Sequence, residues 1–167
     1  MKYAPFWLLL LGLWIGKQDL AAQFYDQALG LRGGTTIGAS YRRFIFYTPD
    51  IQQSIEGIVG FQFDERNRPQ KVNGYVLEAL YFAHLDVGFD TGFGAFAGAG
   101  LFGGMYTEQG QKAKFGGGIT ASIGMEYTFT HIPINISIDW KPFLGYPRMS
   151  LLSGGLSLRY VLFRDWQ

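Results

Sequence analysis

Residues 134–141, Ile134-Asn135-Ile136-Ser137-Ile138-Asp139-Trp140-Lys141, alternate apolar and polar side chains without a fault. In a β-strand successive side chains point to opposite faces. Ile134, Ile136, Ile138 and Trp140 therefore share one face, and Asn135, Ser137, Asp139 and Lys141 share the other. The preceding stretch has the same period: Ile119, Ala121, Ile123, Met125, Tyr127 and Phe129 lie opposite Thr120, Ser122, Gly124, Glu126 and Thr128. Near the C-terminus Leu156, Leu158, Tyr160 and Leu162 face away from Ser157, Arg159 and Val161. No amphipathic helix longer than a turn or two breaks the pattern.

Turn residues divide the chain into about eight such strands. They are predicted near 25–33, 36–47, 53–63, 74–83, 93–104, 116–130, 134–143 and 154–163. Short connections (48–52 and 131–133, with Pro49 and Pro133 as breakers) alternate with longer, more polar ones at 64–73, 107–114 and 144–153. Two connections depart from this alternation. The turn at Gly33-Gly34-Thr35 is very short for its side, and 85–92 is long for its own.

The N-terminal segment reads as a targeting signal. Lys2 precedes a 12-residue apolar run, PFWLLLLGLWIG (5–16). That length suits a secretory h-region and falls short of the ~20 residues a spanning helix needs. Leu20-Ala21-Ala22 then offers small residues for cleavage before Gln23; an uncleaved anchor is the competing reading. The expected organisation is a signal peptide over 1–22 and a single domain over 23–167. Beyond Ala22 no apolar run approaches 18 residues. A membrane-embedded mature chain would therefore have to be a closed barrel, since only helices and barrels satisfy every backbone group in lipid.

Composition agrees with that expectation. Glycine contributes 24 of 167 residues, about twice its usual ~7% share. Aromatics make up 17% against only 16% charged residues, as an aromatic-girdled barrel requires. The absence of cysteine excludes disulfides, thiolate zinc sites and a cysteine nucleophile. Net charge is +1, and loss of Lys2, Lys17 and Asp19 with the signal would bring it to zero. No nucleic-acid partner is expected from such a balance.

In a soluble sandwich or lipocalin-type barrel the apolar faces meet inside and the polar faces meet water. A membrane barrel reverses the assignment. Strand-interior charges fall opposite the apolar set at Arg32, Arg42, Glu56, Glu78, Glu126, Asp139, Lys141 and Arg159. They are four cations and four anions, which is what an enclosed set needs if each group is to find a partner. These eight residues are the expected lumen charge network.

Four runs, ALGLRGGTTIGASY (28–41), SIEGIVGF (54–61), GMEYTFTHIPINISIDWKP (124–142) and LSLRY (156–160), carry a resemblance. The chain resembles the small secreted outer-membrane β-barrel proteins of Gram-negative bacteria, mostly of unknown function and related in architecture to OmpA/OmpX-type barrels. The resemblance covers nearly the whole mature chain and is most specific over IPINISIDWKP (132–142). It implies an all-β, antiparallel, up-and-down transmembrane barrel of about eight strands in the bacterial outer membrane. Its implied partners are outer-membrane lipid and the export and barrel-assembly machinery. It implies no established activity. One departure is at the end: such barrels commonly finish on an aromatic, whereas here Leu162, two residues after Tyr160, takes that position and FRDWQ (163–167) trails beyond.

Enzymatic chemistry finds little support. A Ser-His-acid set needs histidine within reach of a nucleophile and oriented by a carboxylate. The two histidines, His84 and His131, have no serine two positions away on the same strand face, the deacylase spacing, and are expected at the interface. Gly98-Ala99-Gly100-Leu101-Phe102-Gly103 fits GxGxxG, but a strand rather than a helix follows, so no phosphate loop is expected. No cluster has metal-ligand spacing. Asp64 and Glu65 are expected to be solvated loop charges rather than a calcium site. Catalytic, cofactor-binding and metal residues are all read as none. The apolar connection FLGYPRMSLL (143–152) is read as barrel rim in preference to a contact site. The expected function is a structural or surface-interaction barrel with a side-chain-filled lumen, non-enzymatic, its loop partner unread. The alternatives are a lipid-handling or lipid A-modifying barrel enzyme and a narrow transport channel.

Overall fold

The computed structural model describes residues 25–48, 51–63, 72–87, 92–108 and 112–163. The segment read as signal peptide, 1–22, and the loop carboxylates Asp64 and Glu65 lie outside the described residues. Nine strand segments follow in chain order: β1 (Gln27–Gly34), β2 (Thr36–Tyr47), β3 (Gln52–Gln62), β4 (Val72–Asp86), β5 (Phe93–Glu108), β6 (Lys114–Thr128), β7 (Ile134–Trp140), β8 (Phe143–Tyr146) and β9 (Gly154–Phe163).

These nine segments make eight staves. β7 and β8 pair with β6 in one continuous register, through Ile123↔Trp140 and Thr120↔Phe143. The break falls at Lys141-Pro142, where proline has no N–H to give a ladder; its carbonyl still accepts from Ala121 N at 3.1 Å. Each stave pairs antiparallel with its neighbours in sequence, and β9 pairs with β1 to close the ring. The fold is a closed eight-stranded antiparallel β-barrel. Closure leaves no sheet edge, which is how an all-antiparallel chain of this size avoids exposed ladder groups.

The stagger of the ring is readable from its register. Paired residues lead from Asp86 through Gly94, Glu126, Ser137, Ser157, Arg32, Gly38 and Gly60 back to β4 at Val76, ten residues from the start. Eight strands about 4.8 Å apart, sheared by that amount, must tilt roughly 40° from the axis. A barrel of this size has an interior just wide enough for side chains.

Side chains alternate between that interior and the outside. Leu31, Leu77 and Leu101 are 69, 64 and 65% exposed, whereas Arg42, Glu56 and Arg159 are 0, 1 and 1% exposed. The usual assignment of faces in a globular protein is thus reversed: the apolar faces are outside and the polar faces inside. Three apolar clusters are also buried within: Tyr25, Ala28, Phe44 and Val161; Ile58, Leu80, Phe82 and Phe96; and Val76, Phe102, Tyr106 and Phe143.

Several strand ends differ from the sequence expectation. β4 runs on to Asp86 and β5 to Glu108, so the connection expected to open at residue 85 starts later. The apolar stretch 143–152 opens as strand, because β8 continues the stave of β7. Cross-strand pairing holds these residues where hydrophobic periodicity alone had run out.

Candidate functional site

The interior is the chemically distinctive part of the molecule. All eight charged residues named from sequence point into it, and the barrel sorts them into three neutral groups. In the first, Arg42 donates through Nε and Nη2 to Glu56 Oε2 at 2.9 and 2.7 Å, and through Nη1 to Glu126 Oε2 at 2.6 Å. Arg159 donates from Nη2 to Glu56 Oε1 at 2.7 Å and from Nη1 to Asn135 Oδ1 and Ser137 Oγ at 3.1 and 2.8 Å. Two guanidinium groups thus face two carboxylates. In the second, Arg32 makes a bidentate pair with Asp139 at 2.7 and 2.6 Å and reaches Ser157 at 3.3 Å. In the third, Lys141 Nζ pairs with Glu78, which also accepts from Thr36 Oγ1 at 3.2 Å.

Local neutrality matters more than the overall balance. A buried ion pair is tolerable only when geometry and extra hydrogen bonds offset its desolvation, and bidentate guanidinium–carboxylate contacts are the strong form. Arg42↔Glu56 are direct partners across β2 and β3. The remaining pairs skip strands and reach across the lumen, from β2 to β6, β3 to β9, β1 to β7, and β4 to Lys141. They cross-brace the barrel. Arg42 also lies 5.3 and 5.2 Å from the ring centres of Phe82 and Phe96, within cation–π range of both.

His84 was expected at the interface and is instead buried in this interior. The sequence reading ended its strand at residue 83; the real strand continues, and parity with Val76, Glu78, Leu80 and Phe82 carries the imidazole inward. That parity was the available signal. Nδ1 of His84 lies 2.6 Å from Glu126 Oε1 and Nε2 lies 2.8 Å from Ser54 Oγ. With Nδ1 donating to the carboxylate, Nε2 is left to accept the Ser54 hydroxyl. His131 is exposed at the turn before β7.

Ser54–His84–Glu126 has the connectivity of a serine-hydrolase triad. It lacks the access. Ser54 has no exposed surface, and the adjoining opening at the barrel end holds about 40 Å³, room for a few waters and no larger substrate. That opening is lined by Tyr25, Gln52, His84 and Glu126 among others, and not by Ser54. Tyr25, just before β1, packs edge-on against Phe44 with ring centres 4.9 Å apart. Burial pushes its phenol up to about 12, so it caps this end as a neutral group.

Fold and interior together define a class: a small closed barrel, apolar outside and filled inside by paired charges. Compared with known proteins, the chain matches no family model and no curated protein.

Proposed function

We propose that this protein is an outer-membrane β-barrel with a plugged lumen, serving a structural or surface-interaction role and not catalysing a reaction. The observation that carries the reading is the reversal of faces. Water would solvate the eight charges that are buried and would be structured by the belt of leucine, isoleucine and valine that is exposed. A soluble monomer rarely exposes a contiguous apolar patch beyond a few hundred Å², and here the belt encircles the barrel. Exposed aromatics rim it at both ends: Tyr41, Tyr81 and Tyr160 toward the termini, and Tyr75, Phe115 and Tyr146 toward the other side. Such girdles suit headgroup depth. The outer-membrane lipid and the export and barrel-assembly machinery are its expected partners.

The test is fractionation and gel behaviour. The protein should stay with salt-washed membranes and run differently before and after boiling; full recovery in the soluble periplasm refutes the reading. Ile136→Lys on the outward face should cost ~2–4 kcal/mol in bilayer refolding titrations, if the site lies at mid-depth. Planar-bilayer recordings should show no steady open channel.

The enzymatic alternative rests on one observation, the Ser54–His84–Glu126 chain. A fluorophosphonate probe should leave Ser54 unlabelled in the folded barrel; stoichiometric labelling lost in Ser54→Ala would establish the hydrolase instead.

A further inference from the structure

One charge breaks the reversal of faces. Among the described strand residues whose side chains point outward, Arg43 is the charged one, set between Tyr41 and Ile45 on β2. It is exposed and has no hydrogen-bond or ion-pair partner among the described residues. Its cross-strand neighbours are Gln27 on β1 and Ile55 on β3. The nearby Tyr41 hydroxyl donates to Gln27 Oε1 at 2.8 Å, fixing the tyrosine ring beside the arginine.

Next to Arg43 the outer wall is notched. Gly57 on β3 faces outward opposite Tyr41 and Ala79, and a side chain added there would meet nothing within 4 Å. Tyr41, Arg43, Ile45, Ile55 and Gly57 line a groove of about 390 Å³, within the range of small-molecule sites. One rim is cationic and the remainder is apolar. Arg43 stands four residues from the end of β2 at Tyr47, roughly 10 Å along a tilted strand, so its long stem can bring the guanidinium toward headgroup depth.

We propose that this groove binds an anionic glycerophospholipid, with Arg43 on the phosphodiester and an acyl chain over Gly57. The site rests on the membrane reading above. A guanidinium matches phosphate oxygens in bidentate geometry, and a lone cation on a lipid-facing wall is costly unless it reaches such an anion. A second copy of this chain is a poorer occupant, because the outward faces of the described strands carry no carboxylate to offer.

The test uses the whole mature barrel in neutral detergent, as wild type, Arg43→Gln, Arg43→Lys and Gly57→Leu. Both substituted positions, Arg43 and Gly57, are on the outer wall, so heat-modifiability and protease resistance should be unchanged. Native mass spectrometry with added dioleoylphosphatidylglycerol should show wild type holding its first lipid about fivefold more tightly than Arg43→Gln, the scale of one basic residue at a membrane surface. Arg43→Lys should fall between them. Gly57→Leu should also weaken binding although it keeps the charge, and chainless glycerophosphate should not displace the lipid. Equal lipid retention by folded wild type, Arg43→Gln and Gly57→Leu overturns the site alone. A wild-type chain that is soluble without detergent and not heat-modifiable overturns the membrane reading, and the site with it.

Discussion

The two sides of the barrel interior are filled by opposite means. Along β1, β2, β3, β7 and β9 the inward charges Arg32, Arg42, Glu56, Asp139 and Arg159 sit among short polar side chains, with Ala28, Phe44, Ile58 and Val161 as the apolar inward residues. Along β5, from Gly94 to Tyr106, every inward residue is glycine or aromatic. There the rings fill space that neighbouring strands vacate. A side-chain carbon added to Gly98 would lie 2.4 Å from Phe82 Cδ1, and one added to Gly124 would lie 2.6 Å from Phe96 Cζ. The aromatic side is thus sensitive to added atoms between its rings, whereas on the polar side a single charge cannot be removed without stranding its partner. Arg42 joins the two, with carboxylates on its edges and the touching Phe82 and Phe96 rings together on one side.

That contrast can be broken at defined places. The largest effect is expected at the junction: Arg42→Met should cost ~3–5 kcal/mol in denaturant unfolding, because Glu56 and Glu126 lose a buried partner. A loss under ~1 kcal/mol would mean that water screens the lumen charges. On the aromatic side Gly98→Leu should cost ~1–3 kcal/mol through overpacking, visible as a lower midpoint and altered near-ultraviolet dichroism from displaced rings. Removing both partners is a different operation from removing one. Arg32→Met with Asp139→Leu should be within ~1 kcal/mol of wild type, while either change alone should be clearly destabilising. Smallest of all, Lys112→Gln at an exposed position should stay within ~0.5 kcal/mol.

Much of this architecture was legible in one dimension. Strand faces follow from period two, so the runs around Ile134–Trp140 assigned Asn135, Ser137 and Asp139 to one face before any partner strand was known. The same parity placed eight charges on one side of the wall and made their equal numbers meaningful. His84 was misplaced for a local reason. Its strand ends in Ala83-His84-Leu85-Asp86, where alternation fades, and only pairing with β5 through Asp86↔Gly94 keeps the chain extended. Ser54 was unremarkable without His84, and Arg43 reads as just another charge until its outward face and the Gly57 notch are seen together.

Alternation is a property of neighbouring residues, which is why the period, the strand number and the two faces could be read from the chain alone. Which charge meets which is a property of closure. The ten-residue stagger and the narrow eight-stave ring bring Arg42 to Glu126, Arg159 to Glu56 and Lys141 to Glu78 across gaps of 84, 103 and 63 residues in sequence. No local pattern encodes those distances. They exist only once β9 has paired with β1, because the tilt of the whole ring sets the depth at which each side chain enters the lumen.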